Sequence, residues 1–189
     1  MNQNIATIRK HYSTLTDEKI RSLVGKDLLT LTPDGLQVLK EEVVKRDLPL
    51  LKSIDDAFKQ EELINQLILD KCNEIRDLPC PICNSNEYKL NAIQLTTVTS
   101  LLATNVKKQL HIGCNNCLME LKQSAEDKTS LLGWWGFWGL FETSKALRIN
   151  DIGAEELKLD RPSSALTTYV SELIEEKTLI ARSLHNVSN

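Results

Sequence analysis

Apolar positions in the first fifty residues fall in short helical stripes, each preceded by a start signal. Thr16 stands before Asp17 and Glu18, an N-cap followed by acidic residues that suit the positive end of a helix dipole, and Ile20, Leu23 and Val24 then share a face. Thr32-Pro33-Asp34 is a second start, with proline at the first helical position, and Leu36, Leu39 and Val43 continue it until Arg46-Asp47-Leu48-Pro49. The two pieces predict a helical hairpin over 1–50. Ser53 is placed to cap a connecting amphipathic helix, within 51–78 and reaching about Ile75. Ile54, Phe58, Ile64, Ile68, Cys72 and Ile75 form its stripe, widened by Leu63 and Leu67.

The period changes after Pro79. Residues 88–113 are rich in Thr, Val, Ile and Leu and predict two or three short strands or one long hairpin, with a turn over Ala103–Lys108. A short helix is expected from Leu118 to about Lys128, and another capped by Thr143 or Ser144 and running through Ile149. From Arg161-Pro162-Ser163-Ser164, the residues Ala165, Leu166, Tyr169, Val170, Leu173, Ile174, Ile180 and Leu184 recur at helical spacing. They predict an amphipathic helix over about 163–184 with an acidic side at Glu172, Glu175 and Glu176. The fold class is therefore α+β, in four segments: the hairpin, the connecting helix, a cysteine-rich region over 79–150, and a C-terminal helix within 151–189.

Composition changes this picture in two places. The chain has 189 residues and only nine aromatics, of which Trp134, Trp135, Phe137, Trp138 and Phe141 fall within eight residues. It has five cysteines, four of them in the pairs Cys80-x-x-Cys83 and Cys114-x-x-Cys117. Net charge is -3, and the one region with a basic excess, 80–150, carries 7 Lys and Arg against 5 Asp and Glu. That is thin for a surface evolved to bind phosphates.

The two cysteine pairs carry the clearest chemistry. A tetrahedral Zn²⁺ needs four donors at about 2.3 Å, and each C-x-x-C turn aims two sulfurs at one point. Thirty residues separate the pairs, longer than the commonest spacing, and a hairpin accommodates them. The expectation is a small four-cysteine zinc ribbon, a hairpin with two knuckles, in which the zinc is structural because four thiolates leave no vacant position. A redox dithiol and an iron–sulfur cluster are the competing uses of paired cysteines, but neither a thioredoxin-like pattern nor a ferredoxin spacing is visible. Cys72, on a helical stripe, reads as a small buried hydrophobe, and His111 as a strand residue and not a fifth donor.

Gly133-Trp134-Trp135-Gly136-Phe137-Trp138-Gly139 admits two placements. The aromatics can plug a core, or they can form an interfacial element, since tryptophan combines a large apolar body with one N–H donor. Lys122, Lys128, Lys145 and Arg148 flank the segment. The longest uncharged stretches, 17 residues over Leu90–Val106 and 13 over Thr129–Phe141, fall short of the roughly 20 apolar residues of a spanning helix.

This combination resembles a group of uncharacterised bacterial zinc-ribbon proteins. In them a paired C-x-x-C unit precedes a G-W-W-G-x-P-W-G-like stretch and then T-x-x-A-[LI]-x-x-N. The matching positions are Cys80, Cys83, Cys114, Cys117, Gly133, Trp134, Trp135, Gly136, Trp138, Gly139, Thr143, Ala146 and Asn150; Phe137 stands where the pattern has proline before the last tryptophan. The resemblance implies metal-binding cysteines and brings no activity with it.

The function expected is therefore a non-enzymatic structural-zinc protein. It docks to a membrane surface or a protein partner through Trp134, Trp135, Phe137, Trp138 and Phe141. The alternative is a nucleic-acid-binding zinc ribbon using Tyr88, Lys89, Lys107, Lys108 and His111. No H-E-x-x-H, G-x-S-x-G, P-loop or G-x-G-x-x-G motif is present, and none of the three histidines completes the deaminase H-x-E. Met1–Ile5 lacks a basic start followed by an apolar run, so a cytoplasmic protein is expected, peripheral at the inner face of the membrane if it docks there.

Overall fold

A computed structural model describes residues 3–26, 28–100, 103–135 and 137–187; at 3, 4, 29, 137 and 177–187 it describes the backbone alone. The order is α1 (Gln3–Thr14), α2 (Asp17–Val24), a 3-10 turn (Leu28–Thr30), α3 (Pro33–Lys45), α4 (Leu51–Arg76), β1 (Leu90–Ser100), β2 (Thr104–Cys114), α5 (Asn115–Leu132), α6 (Phe137–Leu157) and α7 (Ser164–Val187). The protein is thus α+β, with a two-stranded antiparallel hairpin among helices. It forms two compact units, Met1–Gln66 and Leu67–Asn189, and α4 contributes to both.

The first unit is helical. Thr16 caps α2 by accepting from Lys19 N, and Thr32 caps α3 by accepting from Gly35 N at 3.2 Å, with Pro33 following. Ile20, Leu36, Leu39, Val43 and Ile54 are fully or almost fully buried in its core. α1 was not foreseen; its Ile5, Ile8 and Tyr12 pack on that core at i, i+3 and i+7, a stripe too sparse to stand out alone. Arg46, just past α3, closes the unit. Its guanidinium donates to Glu42 (2.7 Å), Asp17 (2.9 Å) and the backbone oxygen of Leu15 (2.6 Å), and also to the carbonyls of Tyr12 and Ser13 at the end of α1. Three of these five bonds go to carbonyls at and just past the end of α1, where a helix leaves acceptors without intrahelical donors, and two to carboxylates. α4 begins at Leu51, so Ser53 lies inside it and not at its cap. Of its expected stripe, Ile54, Ile68 and Cys72 are buried, while Leu63, Ile64 and Leu67 are exposed.

In the second unit β1 pairs with β2 from Leu90 opposite Cys114 to Ser100 opposite Thr104. β1 therefore ends at Ser100 and β2 starts at Thr104. Thr104–Lys108, expected as turn, belong to β2; their polarity reflects a strand exposed over most of its length. β1 is buried on both faces. Ile93 and Leu95 pack on Leu118, Ala125, Ala154 and Leu157 of α5 and α6, while Ala92 meets Ile68, Cys72, Leu166 and Val170 of α4 and α7. Strand alternation assigns the two sets to opposite sides.

The edge of β1 turned away from β2 is covered by side chains in place of a third strand. Asn150 accepts from Thr96 N (2.8 Å) and donates to Thr96 O (3.0 Å); Thr129 Oγ1 accepts from Val98 N (3.1 Å); Ser163 Oγ donates to Ala92 O (2.6 Å). Asn150, Thr129 and Ser163 are buried. Such pairing removes the exposed ladder that makes an edge strand prone to association. Between the Ala92 and Thr96 pairings, a cavity of about 310 Å³ opens at Gln94 between α6 and α7.

Candidate metal centre

The first knuckle follows α4. Cys80 N donates to Ser85 O (2.9 Å) and Asn84 N to Cys80 O (2.7 Å), closing a tight loop in which Asn84 takes the left-handed conformation at φ 58°. Asparagine tolerates that region better than most residues. The second knuckle is not a flexible loop. Cys114 ends β2 and occupies the N-cap of α5, and Cys117 lies in that helix's first turn. Hairpin and helix thus present this pair rigidly, and the positive end of α5 faces the sulfurs.

The hairpin register brings the pairs together. Cys114 pairs across the ladder with Leu90, and Cys80, Leu90, Cys114 and Cys117 form one buried cluster. All four sulfurs lie within 4.8 Å of one another; Cys83 Sγ is 3.7 Å from Cys114 Sγ, and Cys114 N donates to Cys80 Sγ at 3.3 Å. A tetrahedron with about 2.3 Å metal–sulfur bonds has sulfurs about 3.8 Å apart, so the donor set fits a tetrahedral thiophilic ion. Cys80, Cys114 and Cys117 are buried and Cys83 is exposed, so the cluster meets solvent at one corner. None of the five cysteines is in a disulfide.

The sulfurs are electrostatically unequal. Burial alone pushes the Cys80 thiol up, but backbone amides of Cys83, Cys114 and Ile82 directed at its sulfur outweigh that and lower it to about 6. Cys117 is pushed strongly upward, first by its contact with Cys114, then by burial, then by Cys83 and Cys80. Four neighbouring sulfurs cannot all carry charge without a cation among them, and a bound metal reverses that preference.

Cys72 stands apart, fully buried among Ile68, Ala92, Leu166 and Val170, with its thiol raised by desolvation. His111 is on β2 opposite Ile93 and outside the cysteine cluster.

The aromatic segment joins α5 to α6. Gly133 and Gly139 face inward: a Cβ on Gly133 would lie 2.5 Å from Thr129 O and collide with Thr143 Oγ1, and one on Gly139 would strike Gly133 O and Ser100 Oγ. Ser100 Oγ also donates to Trp135 O. With backbone packed this closely on the inner side, the large side chains lie outside. Trp135, Trp138 and Phe141 are 61%, 70% and 60% exposed, Trp134 is 42% exposed, and Leu131 and Leu140 beside them are also exposed. The structure therefore does not use these four rings as a core plug. Phe137 opens α6, and its side chain is outside the described residues. Thr143, expected as a helix cap, is instead buried inside α6, because that helix already starts at the aromatic segment. Thr143, Ala146 and Asn150 share the inner face of α6 and are all buried. Asn150, Thr129 and Ser163, the residues that hold β1, had no recognisable signal beyond Asn150's place in the T-x-x-A-[LI]-x-x-N stretch. Among the described residues no helix is long and apolar enough to cross a membrane.

No protein-family model matches the chain, and no curated protein or solved structure matches it. The functional reading therefore rests on the cysteine cluster and the aromatic surface.

Proposed function

We propose that the chain is a non-enzymatic protein built on a four-cysteine zinc ribbon, docking to a membrane surface or a protein partner through its Trp/Gly-rich segment. The convergence of four sulfurs at the junction of hairpin and α5 carries this reading. Four thiolates fill a tetrahedral shell, so the ion holds structure and has no position for water or substrate. The ion supplies a cross-link between the chain before β1 and the start of α5, and α5 leads directly to the aromatic segment. The rings at the end of that helix supply the contact. The expected setting is cytoplasmic, peripheral at a membrane where the partner is a bilayer.

The nucleic-acid alternative draws less support. Lys107 and Lys108 are adjacent on β2, so they alternate between faces of the hairpin and do not form one phosphate-binding row.

Metal analysis of the full, untagged chain tests the centre. About one zinc per chain is expected, lost when Cys80→Ser is combined with Cys83→Ser. Hydrogen exchange over 80–132 should rise in that variant. Absence of metal from protein made with adequate zinc would overturn the proposal.

A further inference from the structure

We propose that the surface formed by Trp134, Trp135, Trp138, Phe141, Lys145 and Arg148 fits the headgroup layer of an anionic lipid bilayer. This rests on the docking reading above and names its partner.

Three observations favour lipid over an apolar groove on another protein. The first is the kind of apolar surface. Three tryptophans and a phenylalanine project from one turn and the start of one helix, held outward by the inward packing of Gly133 and Gly139. Tryptophan is the side chain best suited to the boundary between water and hydrocarbon. The Trp135 N–H is satisfied internally by Leu131 O at 3.3 Å, so its ring can enter an apolar layer without stranding a donor.

The second is the order of chemistry along α6. Trp138, Phe141, Lys145 and Arg148 follow one exposed stripe at helical spacing. At 1.5 Å per residue the cations lie about 10 and 15 Å along the axis from Trp138. A tilted α6 would bring rings to the acyl boundary and cations to the phosphates above it. Lys128, exposed on α5, is a third cation near this end.

The third is the balance of charge. Among the described residues Lys128, Lys145 and Arg148 form no ion pair. Of the carboxylates around them, Glu126 and Asp151 share Lys122 at 2.7 and 2.8 Å, while Asp127, which accepts from the neutral Gln123 at 2.9 Å, and the half-buried Glu142 keep their charge, so the attraction comes from the placing of the cations along α6 and not from a net excess. An apolar protein groove would have no use for the cations, whereas anionic phosphates would. The resulting attachment lies on the bilayer and does not cross it.

Flotation of the metal-loaded full chain tests this. The vesicles are phosphatidylcholine alone, or phosphatidylcholine mixed with phosphatidylglycerol, and tryptophan emission and acrylamide quenching are read on the same samples. The chain should float with the mixed vesicles, its emission should shift to the blue, and added salt should weaken both effects. Lys145→Gln with Arg148→Gln should weaken partitioning about 25-fold, since each cation near such a surface contributes about a fivefold factor. Trp135→Ala with Trp138→Ala should abolish flotation while metal content and melting stay unchanged. Equal binding to both vesicle types, indifferent to the Lys145 and Arg148 changes, overturns the anionic assignment. A folded, metal-loaded chain that floats with neither, while acrylamide still quenches its tryptophans, overturns the lipid assignment and leaves docking to a protein. Tryptophans shielded from acrylamide without vesicles overturn the docking reading itself.

Discussion

Cys72 and Cys80 are both fully buried, yet their surroundings give the thiols opposite characters. Cys72 packs among apolar side chains, and desolvation raises its pKa against the smaller opposing pull of the Arg76 charge. Cys80 is buried beside three backbone amides that favour the thiolate. Cys72→Ser should therefore leave metal content unchanged and lower stability by roughly 1–3 kcal/mol, the cost of burying a hydroxyl without a partner. Metal analysis and denaturant unfolding of the same sample check both halves; loss of metal in this variant would contradict the assignment. Asn150 permits a sharper test. Asn150→Ala removes both bonds to Thr96 and leaves a buried N–H and C=O unpaired, a loss of roughly 2–4 kcal/mol by denaturant unfolding. The cysteines were legible in the sequence because C-x-x-C spacing expresses the geometry of the donor set. Asn150 was not, because its role depends on a strand that lies far away in sequence.

At the scale of elements, legibility followed local chemistry. The Thr16 and Thr32 caps act within three residues and emerged where expected. The start of α6 did not, because three glycines in a short segment suggest a broken helix, whereas two of them sit at a close approach of backbones. The rings of Trp134, Trp135, Trp138 and Phe141 could not be placed from sequence for the same reason: their direction is decided by what the glycines touch. Gly139→Ala should therefore destabilise by roughly 1–3 kcal/mol, because its Cβ meets the backbone of Gly133, which cannot retreat without opening the α5–α6 turn. Gly153→Ala is the matched comparison. There a Cβ would only press on Ile93 side-chain carbons at 3.1 and 3.4 Å, and the gain of about 1 kcal/mol in helix propensity offsets that pressure. Thermal melting of the two variants should separate them clearly, Gly139→Ala falling and Gly153→Ala staying near the parent protein.

For the whole molecule, the two units should respond differently to loss of the ion. The first has a helical core closed by Arg46 and contains no cysteine, while the second contains all five. Chelation should raise hydrogen exchange around 80–132 and leave α2 and α3 protected. Acid should act in the same direction. Without metal, Cys80 is held near 6 and favours the thiolate at neutral pH, whereas Cys117 is pushed far up and stays protonated. Binding must therefore expel protons, from Cys117 at least, and added protons must oppose binding. The sign follows for Cys80 alone: its folded pKa is depressed, so its contribution is present above the unfolded value and disappears as pH falls through about 6. Titrating zinc into the metal-free chain in weak buffer at pH 7 should acidify the solution, and zinc affinity should fall steadily towards pH 5. Acid-induced release should coincide with rising exchange at the start of α5, where Cys114 and Cys117 lose their cross-link to Cys80 and Cys83. A zinc affinity that does not change between pH 7 and pH 5 would show that the four sulfurs are not the ligands.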